Sequence, residues 1–380
     1  MQKLLNADDY RGRARKILPR GLFEYIDRGT EDETALRRLR ASLDGITLMP
    51  SVLTGHDKRS LETTLLGQRL GAPLVVAPTA LAGLVAHDGE TKLARAASCV
   101  GIPVCISTQS VTTVDAIRRG APDAMLWFQL YVWRDRVLTA RLLERARASG
   151  CETLIVTVDT PVAPNREYNS RNGFGIPFVP TLRSLMDVAL HPRWLAGVLM
   201  RYLASEGMPT YGHYPDEFRT TIARTSIADA VRLEHRLNWD DMRWLRDIWA
   251  GKLIIKGILA PMDAEIATEI GADAIVVSAH GGRNLDCLPA PAECVPMIVD
   301  AVKGRLTILA DSGVRRGTDA LKYLALGADA VLLGRLPLWG LAAGGEVGAE
   351  AVLRMILREM DTAMAFLGTD TISGLRTCSL

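Results

Sequence analysis

Eight short apolar runs of β character recur along the chain. They read PLVVAP from Pro73, VCIST from Val104, LWFQLYV from Leu126, LIVTVD from Leu154, LIIKGI from Leu253, AIVVSAH from Ala274, LTILADSG from Leu306 and AVLLGR from Ala330. Each is apolar at consecutive positions rather than at alternate ones. A strand buried on both faces reads this way, and such strands belong to parallel sheets covered by helices. Helical segments follow most of the runs, among them ETKLARAASCVG, TTVDAIRRG, DRVLTARLLERARASG and APMDAEIATEIGADA. Several of these end at Gly, the favoured helix stop. Eight β-then-α units predict an α/β chain folded as a (β/α)8 TIM barrel rather than as an open sheet.

The run starts lie 21 to 32 residues apart, except that 99 residues separate the fourth from the fifth. A long insertion after strand 4 is therefore expected, at 178–238. The chain is read as a single domain over 1–380. An N-terminal helical cap occupies 1–72, the first barrel half 73–177, the second barrel half 239–367 and a tail 368–380. Asn6 is a candidate N-cap for the first helix of the cap. Within the insertion, HPRWLAGVLMRYLASEG places Trp194, Leu195, Val198, Leu199 and Tyr202 on one helical face. That face either packs on the barrel or lies in a membrane interface.

Composition removes several function classes. With 45 basic and 43 acidic residues the net charge is +2, which gives no electrostatic footprint for nucleic acid. The six cysteines (Cys99, Cys105, Cys151, Cys287, Cys294 and Cys378) have neither CxxC nor framework spacing. This argues against a disulfide scaffold and a zinc site, and fits a reducing compartment. The segment MQKLLNADDYRGRARK has no apolar leader character, and the apolar run Ala72–Ala86 is broken by Pro73, Pro78, Thr79 and Gly83. A cytoplasmic protein is expected, with attachment to the inner face of the cell membrane as the variant the insertion allows.

In such a barrel the chemistry sits at the C-terminal strand ends. There the sequence puts Thr79, Ser107, Gln129 with Tyr131, Thr157 with Asp159, Lys256, Ser278 with His280, Asp311, and Gly334 with Arg335. A barrel end kept only for stability has no need of so polar a mouth. Strands seven and eight run into ADSGVRRG and LLGRLPLWG, where small residues let backbone N–H groups approach an anion and Arg315 and Arg335 add charge. This is the expected place for a phosphate. His280 in VSAHGGRNLD is a candidate base, and Arg283 a candidate bidentate clamp for a carboxylate. Arg166 is a second candidate clamp. A carboxylate at the end of a buried strand needs a partner, so Asp159 is expected to pair with a histidine or an arginine. Pairing with His280 is expected to raise the imidazole pKa. Lys256 is read as a salt-bridge partner, a Schiff-base amine or a cation facing a developing anion. These residues imply a phosphate-bearing ligand and an anionic substrate, and leave the reaction open.

The stretches FEYIDRGTEDET, PLVVAPTALAGL, HDGETKLARAA, WFQLYVWRDR, TVDTPV, LIIKGIL, SAHGGRNLD, DSGVRRGTDALKYLALGADAVLLGR and GLAAGGE run through nearly the whole chain. Together they resemble the FMN-dependent α-hydroxy-acid oxidase and dehydrogenase family, which includes glycolate oxidase, lactate oxidase and mandelate dehydrogenase. Within it the chain looks most like the (S)-mandelate dehydrogenase branch, on HPRW at His191, LNWDDMRWLRDIW at Leu237, LDC at Leu285 and DSG at Asp311. The resemblance implies oxidation of an (S)-2-hydroxy acid to the 2-oxo acid, with FMN as cofactor. His280 would be the base, held by Asp159. Arg166, Arg283 and Tyr25 would bind the substrate carboxylate, and Tyr131 would lie beside the hydroxyl. Lys256 would stabilise negative charge on the reduced flavin. Pro78, Thr79, Ala80, Ser107, Gln129, Thr157 and Ser278 would hold the flavin ring. Asp311, Ser312, Gly313, Arg315, Gly334 and Arg335 would hold the ribityl chain and phosphate. The resemblance also implies a quinone or O2 as final acceptor, membrane contact through the insertion, and a homotetramer.

Three departures stand out. Ala279 replaces the family's usual Asn before the histidine. Gln109 replaces a bulky aromatic and is expected to shape the substrate pocket. Pro164-Asn165 replaces the common Gly-Arg before Arg166. A peroxide-forming oxidase or an L-lactate dehydrogenase is the near alternative. A non-redox FMN barrel, such as an isomerase, is the alternative of another class.

Overall fold

The computed structural model describes residues 3–174, 181–219 and 228–377. Phe178, the expected start of the insertion, and Cys378 lie outside the described residues. Eight parallel strands close into a barrel: β1 Leu74–Val76, β2 Val104–Ser107, β3 Leu126–Leu130, β4 Thr153–Thr157, β5 Lys252–Ile258, β6 Ala274–Val277, β7 Thr307–Ala310 and β8 Ala330–Leu333. Each pairs with its sequence neighbours, and β8 closes on β1 through Val331–Leu74, Leu332–Val75 and Leu333–Val76. All eight apolar runs are strands of this one sheet.

The consecutive apolar pattern has a direct cause. One set of strand residues, including Val75, Cys105, Trp127, Ile155, Ile254, Val276, Leu309 and Leu332, forms a cluster of its own inside the barrel. The alternate set, including Val104, Phe128, Val156, Ile255, Val277 and Val331, joins the larger core beneath the surrounding helices. Neither set meets water, so neither is polar. The helices begin where side chains can cap them. Thr113 accepts from Ala116 N, Asp135 from Val137 N and Leu138 N, and Asn238 from Asp240 N and Asp241 N. Asn6 caps the first helix, Ala7–Ile17, as the sequence suggests.

The cap is not wholly helical. After the helices Ala7–Ile17, Arg20–Asp27 and Thr34–Gly45 comes an antiparallel hairpin, Thr63–Leu65 with Gln68–Leu70. Its two-residue turn is Leu66-Gly67, both at positive φ, as a tight hairpin requires. Leu65 and Leu70 join the interior cluster and Gln68 accepts from Trp127 Nε1 (3.2 Å), so the hairpin plugs the barrel floor.

The described part of the insertion is docked on the barrel. Trp194, Val198 and Tyr202 are buried, and Trp194 Nε1 donates to Leu84 O (2.6 Å). That face of the segment packs on the barrel. At its far end Trp133 and Leu233 form an antiparallel bridge, and Arg134 N and Asp135 N donate to Arg232 O and Ala230 O. His213 locks the middle. Its Nε2 accepts from Val114 N (2.8 Å) and its Nδ1 faces Thr108 O (3.3 Å), which fixes the neutral tautomer with the proton on Nδ1.

Burial, and then the nearby Arg145, push the His213 imidazole from 6.5 down to about 4. The folded value lies below the unfolded one, so the contribution is present above pH 6.5 and is lost as pH falls toward 4. The His213→Gln variant should melt lower than the parent protein near pH 8. The gap should close as melts are repeated down to about pH 4.5; a gap independent of pH would contradict the role assigned to His213.

Candidate active site

Side chains on a strand alternate, so the residue two beyond each inward apolar one also points into the barrel. Those next residues are Thr79 (after Ala77), Ser107, Gln129, Thr157, Lys256, Ser278, Asp311 and Gly334. The polar mouth is thus the last inward layer of the same strands that form the apolar interior. Thr79, with Pro78 and Ala80, is half-buried in the loop after β1, and Leu81 N donates to Gln109 O (3.2 Å) across that loop. The Gln109 side chain hydrogen-bonds Tyr214 of the insertion.

A buried ion pair lies at the centre. Lys256 Nζ is 3.1 Å from Asp311 Oδ2 and donates to Ser278 Oγ at 2.8 Å. Burial disfavours the ammonium, but Asp311 and then Asp159 outweigh it, so its pKa is raised and it stays charged. Ser278 Oγ also accepts from His280 N (3.0 Å). Ser312 Oγ donates to Asp311 Oδ1 (2.7 Å) and accepts from Gly281 N (3.0 Å). Ser312 at φ 81° and Gly313 at φ 85° make a left-handed turn there. A Cβ at Gly313 would meet Leu39 O at 2.9 Å.

His280 stands at φ 50° with Nδ1 2.8 Å from Asp159 Oδ1. Asp159 therefore has the histidine partner. Burial favours its neutral form, yet His280 and Lys256 hold the carboxyl below its usual range. The expected rise in the imidazole pKa is not found. Burial pushes it below 6.5, and Asp159 offsets this only in part, since Lys256 and Arg283 add positive charge nearby. A neutral imidazole with Nδ1–H fixed on a carboxylate leaves Nε2 as a proton acceptor at neutral pH. Tyr131 lies beside this pair; burial and then Asp159 push its phenol up to about 12, so it stays protonated.

Arg283 and Arg166 approach from the rim. Arg283 Nη1 donates to Tyr25 O (2.5 Å), and its guanidinium lies 5.1 Å from the centre of the Tyr25 ring. Arg166 Nε donates to Arg283 O (3.2 Å), and burial followed by Arg283 lowers its pKa. Neither arginine has a carboxylate partner among the described residues. Arg335 departs from a simple phosphate-site reading. Its Nε and Nη2 donate to the cap carbonyls of Ile26, Asp27 and Arg28 (each 3.1 Å). Burial, then Arg283, push it down to about 10. Arg315 sits further out, 4.0 Å from Asp8.

The residues fit a planar, polar, anionic cofactor. Gln129 Oε1 accepts from Ser107 Oγ (3.0 Å) and Thr108 N (3.3 Å), while its Nε2 is buried without a partner. A buried amide donor in that state calls for an acceptor from a ligand. Gly334 has open space where a Cβ would stand. Lys256 supplies a cation in the mouth. Sequence reasoning passed over Thr160 and Asn284, which contact Asp159, and Tyr323, whose hydroxyl reaches Asp311 O (2.9 Å) and Ser312 O (2.8 Å). Thr160 and Asn284 adjoin named candidates; Tyr323 carried no local signal.

Residues 14–380 match the family described as FMN-dependent dehydrogenase. The chain belongs to that family. It is 43% identical over 369 residues to an L-lactate dehydrogenase of Xanthomonas campestris pv. campestris, covering 97% of this chain and 94% of that protein. It is 42% identical to an L-lactate dehydrogenase of Pectobacterium atrosepticum, covering 98% and 95%. Among solved structures, a monotopic membrane protein, (S)-mandelate dehydrogenase, superposes with a TM-score of 0.90 at 36% identity over 98% of both chains. A mandelate oxidase superposes at 0.84 with 31% identity, over 99% of this chain and 98% of that one. The barrel and its FMN dependence are thus those of this oxidoreductase family.

Gly257 makes the dyad possible. It sits at φ 113° in a bulge of β5, and a Cβ there would lie 2.6 Å from Asp159 Cβ. Gly257→Ala should destabilise the fold by roughly 1–3 kcal/mol and displace Asp159 from His280. Thermal melts and the rate of flavin bleaching by substrate should fall together; a variant normal in both would remove this constraint.

Proposed function

We propose that this enzyme oxidises an (S)-2-hydroxy acid of the mandelate type to the 2-oxo acid. The observation that carries the reading is the His280–Asp159 pair, 2.8 Å apart, set beside two arginines without carboxylate partners. Arg166 and Arg283 take the substrate carboxylate, and Tyr25 completes that end. Tyr131 donates to the substrate hydroxyl from a phenol that stays protonated. His280 Nε2 takes a proton from the substrate, and Asp159 steadies the imidazolium that forms. Lys256, kept charged by Asp311, faces the side where negative charge develops. FMN, when bound, supplies the two-electron acceptor. Pro78, Thr79, Ala80, Ser107, Gln129, Thr157 and Ser278 are proposed to hold its ring, and Asp311, Ser312, Gly313, Arg315, Gly334 and Arg335 its chain and phosphate.

An aryl side chain is supported by the rings around the mouth. Tyr25 and Phe174 lie 5.6 Å apart, and Tyr211 stacks on Tyr214 at 5.0 Å beside Gln109. L-lactate is the second reading, favoured by the 43% identity to lactate dehydrogenases. Anaerobic bleaching of the flavin by mandelate, lactate, glycolate and long-chain 2-hydroxy acids separates the two. In His280→Ala the yellow flavin should remain bound and its bleaching slow by about 10²–10⁴-fold. In the parent protein, kcat/KM should rise with pH through a midpoint below 6.5, because the base must be neutral and its pKa is depressed. Near-normal bleaching without His280, or a midpoint well above 6.5, would remove it from this role.

Electrons are proposed to leave to a membrane quinone. Leu182 (78% exposed), Leu185, Met186, Leu190 (77% exposed), Met200 and Leu203 of the insertion point outward, with Arg183, Arg193 and Arg201 also exposed. No helix among the described residues is long and apolar enough to cross a membrane. An amphipathic surface of this kind suits docking in the interface of an anionic bilayer. The holoenzyme should sediment with anionic vesicles, and Leu182→Glu with Leu190→Glu should abolish this while leaving anaerobic bleaching intact. Hydrogen peroxide as the main aerobic product would instead mark an oxidase.

A further inference from the structure

Asp159 Oδ1 accepts from more than His280. Thr160 Oγ1 lies 3.2 Å from the same oxygen. Asn284 Nδ2 donates to Thr160 Oγ1 (2.9 Å) and to Asp159 O (2.8 Å), and lies 3.4 Å from Asp159 Oδ1. On its other side Asn284 Oδ1 accepts from Arg166 Nη2 (3.4 Å). The amide orientation is forced by its neighbours. A guanidinium can only donate and a backbone carbonyl can only accept, so oxygen faces Arg166 and nitrogen faces Asp159. The direction of the next bond follows. Thr160 Oγ1 accepts a hydrogen bond from Asn284 Nδ2, which leaves its own hydroxyl to donate to Asp159 Oδ1. The Tyr131 hydroxyl also neighbours Thr160, whose second lone pair can accept from it when no substrate hydroxyl takes that bond.

We propose that Asn284 and Thr160 are positioning residues that join the base pair His280–Asp159 to the carboxylate clamp Arg166, so that proton acceptance and substrate docking are set by one network. The inference rests on the roles given above to His280, Asp159 and Arg166. Thr160 and His280 Nδ1 share one carboxylate oxygen. Each donor draws on the same negative charge, so the Thr160 hydroxyl keeps the imidazole less basic than Asp159 alone would make it. The charged groups acting on His280 are Asp159, Lys256 from β5 and Arg283 from its own loop, with the Tyr131 phenol neutral alongside. Removing the Thr160 hydroxyl takes away none of these charges. Asn284 has a second effect, because without its oxygen Arg166 loses one of the contacts that hold the guanidinium.

The two residues therefore predict different signatures. Thr160→Val, Thr160→Ser and Asn284→Ala are to be made in the FMN-loaded full chain. Anaerobic flavin bleaching by the preferred 2-hydroxy acid is followed from about pH 5 to about pH 9. Affinity for the 2-oxo acid product is read from perturbation of the flavin spectrum, and thermal melts are recorded. Thr160→Val should move the low-pH limb to higher pH while product affinity stays within about twofold. Thr160→Ser should restore the parent limb. Asn284→Ala should move the limb the same way and also weaken product binding about tenfold. A limb unmoved in both Thr160→Val and Asn284→Ala overturns the inference, even if both variants melt lower. If Asn284→Ala does not fold, the Val and Ser pair at position 160 decides. If no 2-hydroxy acid bleaches the parent flavin, the functional reading itself fails and this inference falls with it.

Discussion

Inward positions along a closed strand recur every two residues, and the whole site hangs on that spacing. Trp127 and Gln129, Ile254 and Lys256, Leu309 and Asp311 are successive inward residues on their strands. The first of each pair fills the barrel and the second lines its mouth. A strand slipped by one residue would put Lys256 and Asp311 among the helices, where neither charge has a partner. Apolar filling and polar site therefore fix one another's register. The buried Lys256–Asp311 pair is made tolerable by a further hydrogen bond to each partner, from Lys256 to Ser278 and from Ser312 to Asp311.

The cap is bound to this barrel by an unusual use of arginine. The helix Arg20–Asp27 ends over the mouth, and a helix end exposes carbonyls with no partner inside the helix. Arg283 and Arg335 donate to the carbonyls of residues 25 to 28, which also places two cations at the negative end of the helix. Tyr25 is held over the site by the same contacts. Small residues allow the approach. A Cβ on Gly29 would come 2.7 Å from Gly282 O, and one on Gly21 would come 2.8 Å from Phe174 Cβ. Cap and barrel thus meet through backbone, with arginines as the fasteners.

What the sequence revealed and what it hid follow from range. The eight strands were legible because burial on both faces writes itself into consecutive residues. The polar strand ends were legible because alternation is local. The hairpin at 63–70 was not, since three-residue strands such as TTL and QRL carry no periodicity. His213 was not, because its partners Val114 and Thr108 lie about a hundred residues away. The sign of the His280 shift was missed for a different reason. Pairing with Asp159 was foreseeable, but the weight of burial against it depends on how many residues close over the mouth. In the insertion helix 192–205 the apolar face takes the first of its two readings, packing inward through Trp194, Val198 and Tyr202, while the outward Met200 and Leu203 were not part of that face.

A net charge of +2 conceals a strongly uneven distribution. In the mouth each carboxylate is matched: Asp159 lies against His280 and Asp311 against Lys256. Arg166 and Arg283 are left with backbone carbonyls, an amide oxygen and an aromatic face. These two half-buried guanidinium groups lie close together, and burial, then the repulsion of Arg283, lower the pKa of Arg166. A bound carboxylate would relieve that repulsion and satisfy both forks at once. Burial first, and then Lys256 and Arg283, hold the His280 imidazole below its usual range, so Arg283 both attracts the acid and helps keep its base ready.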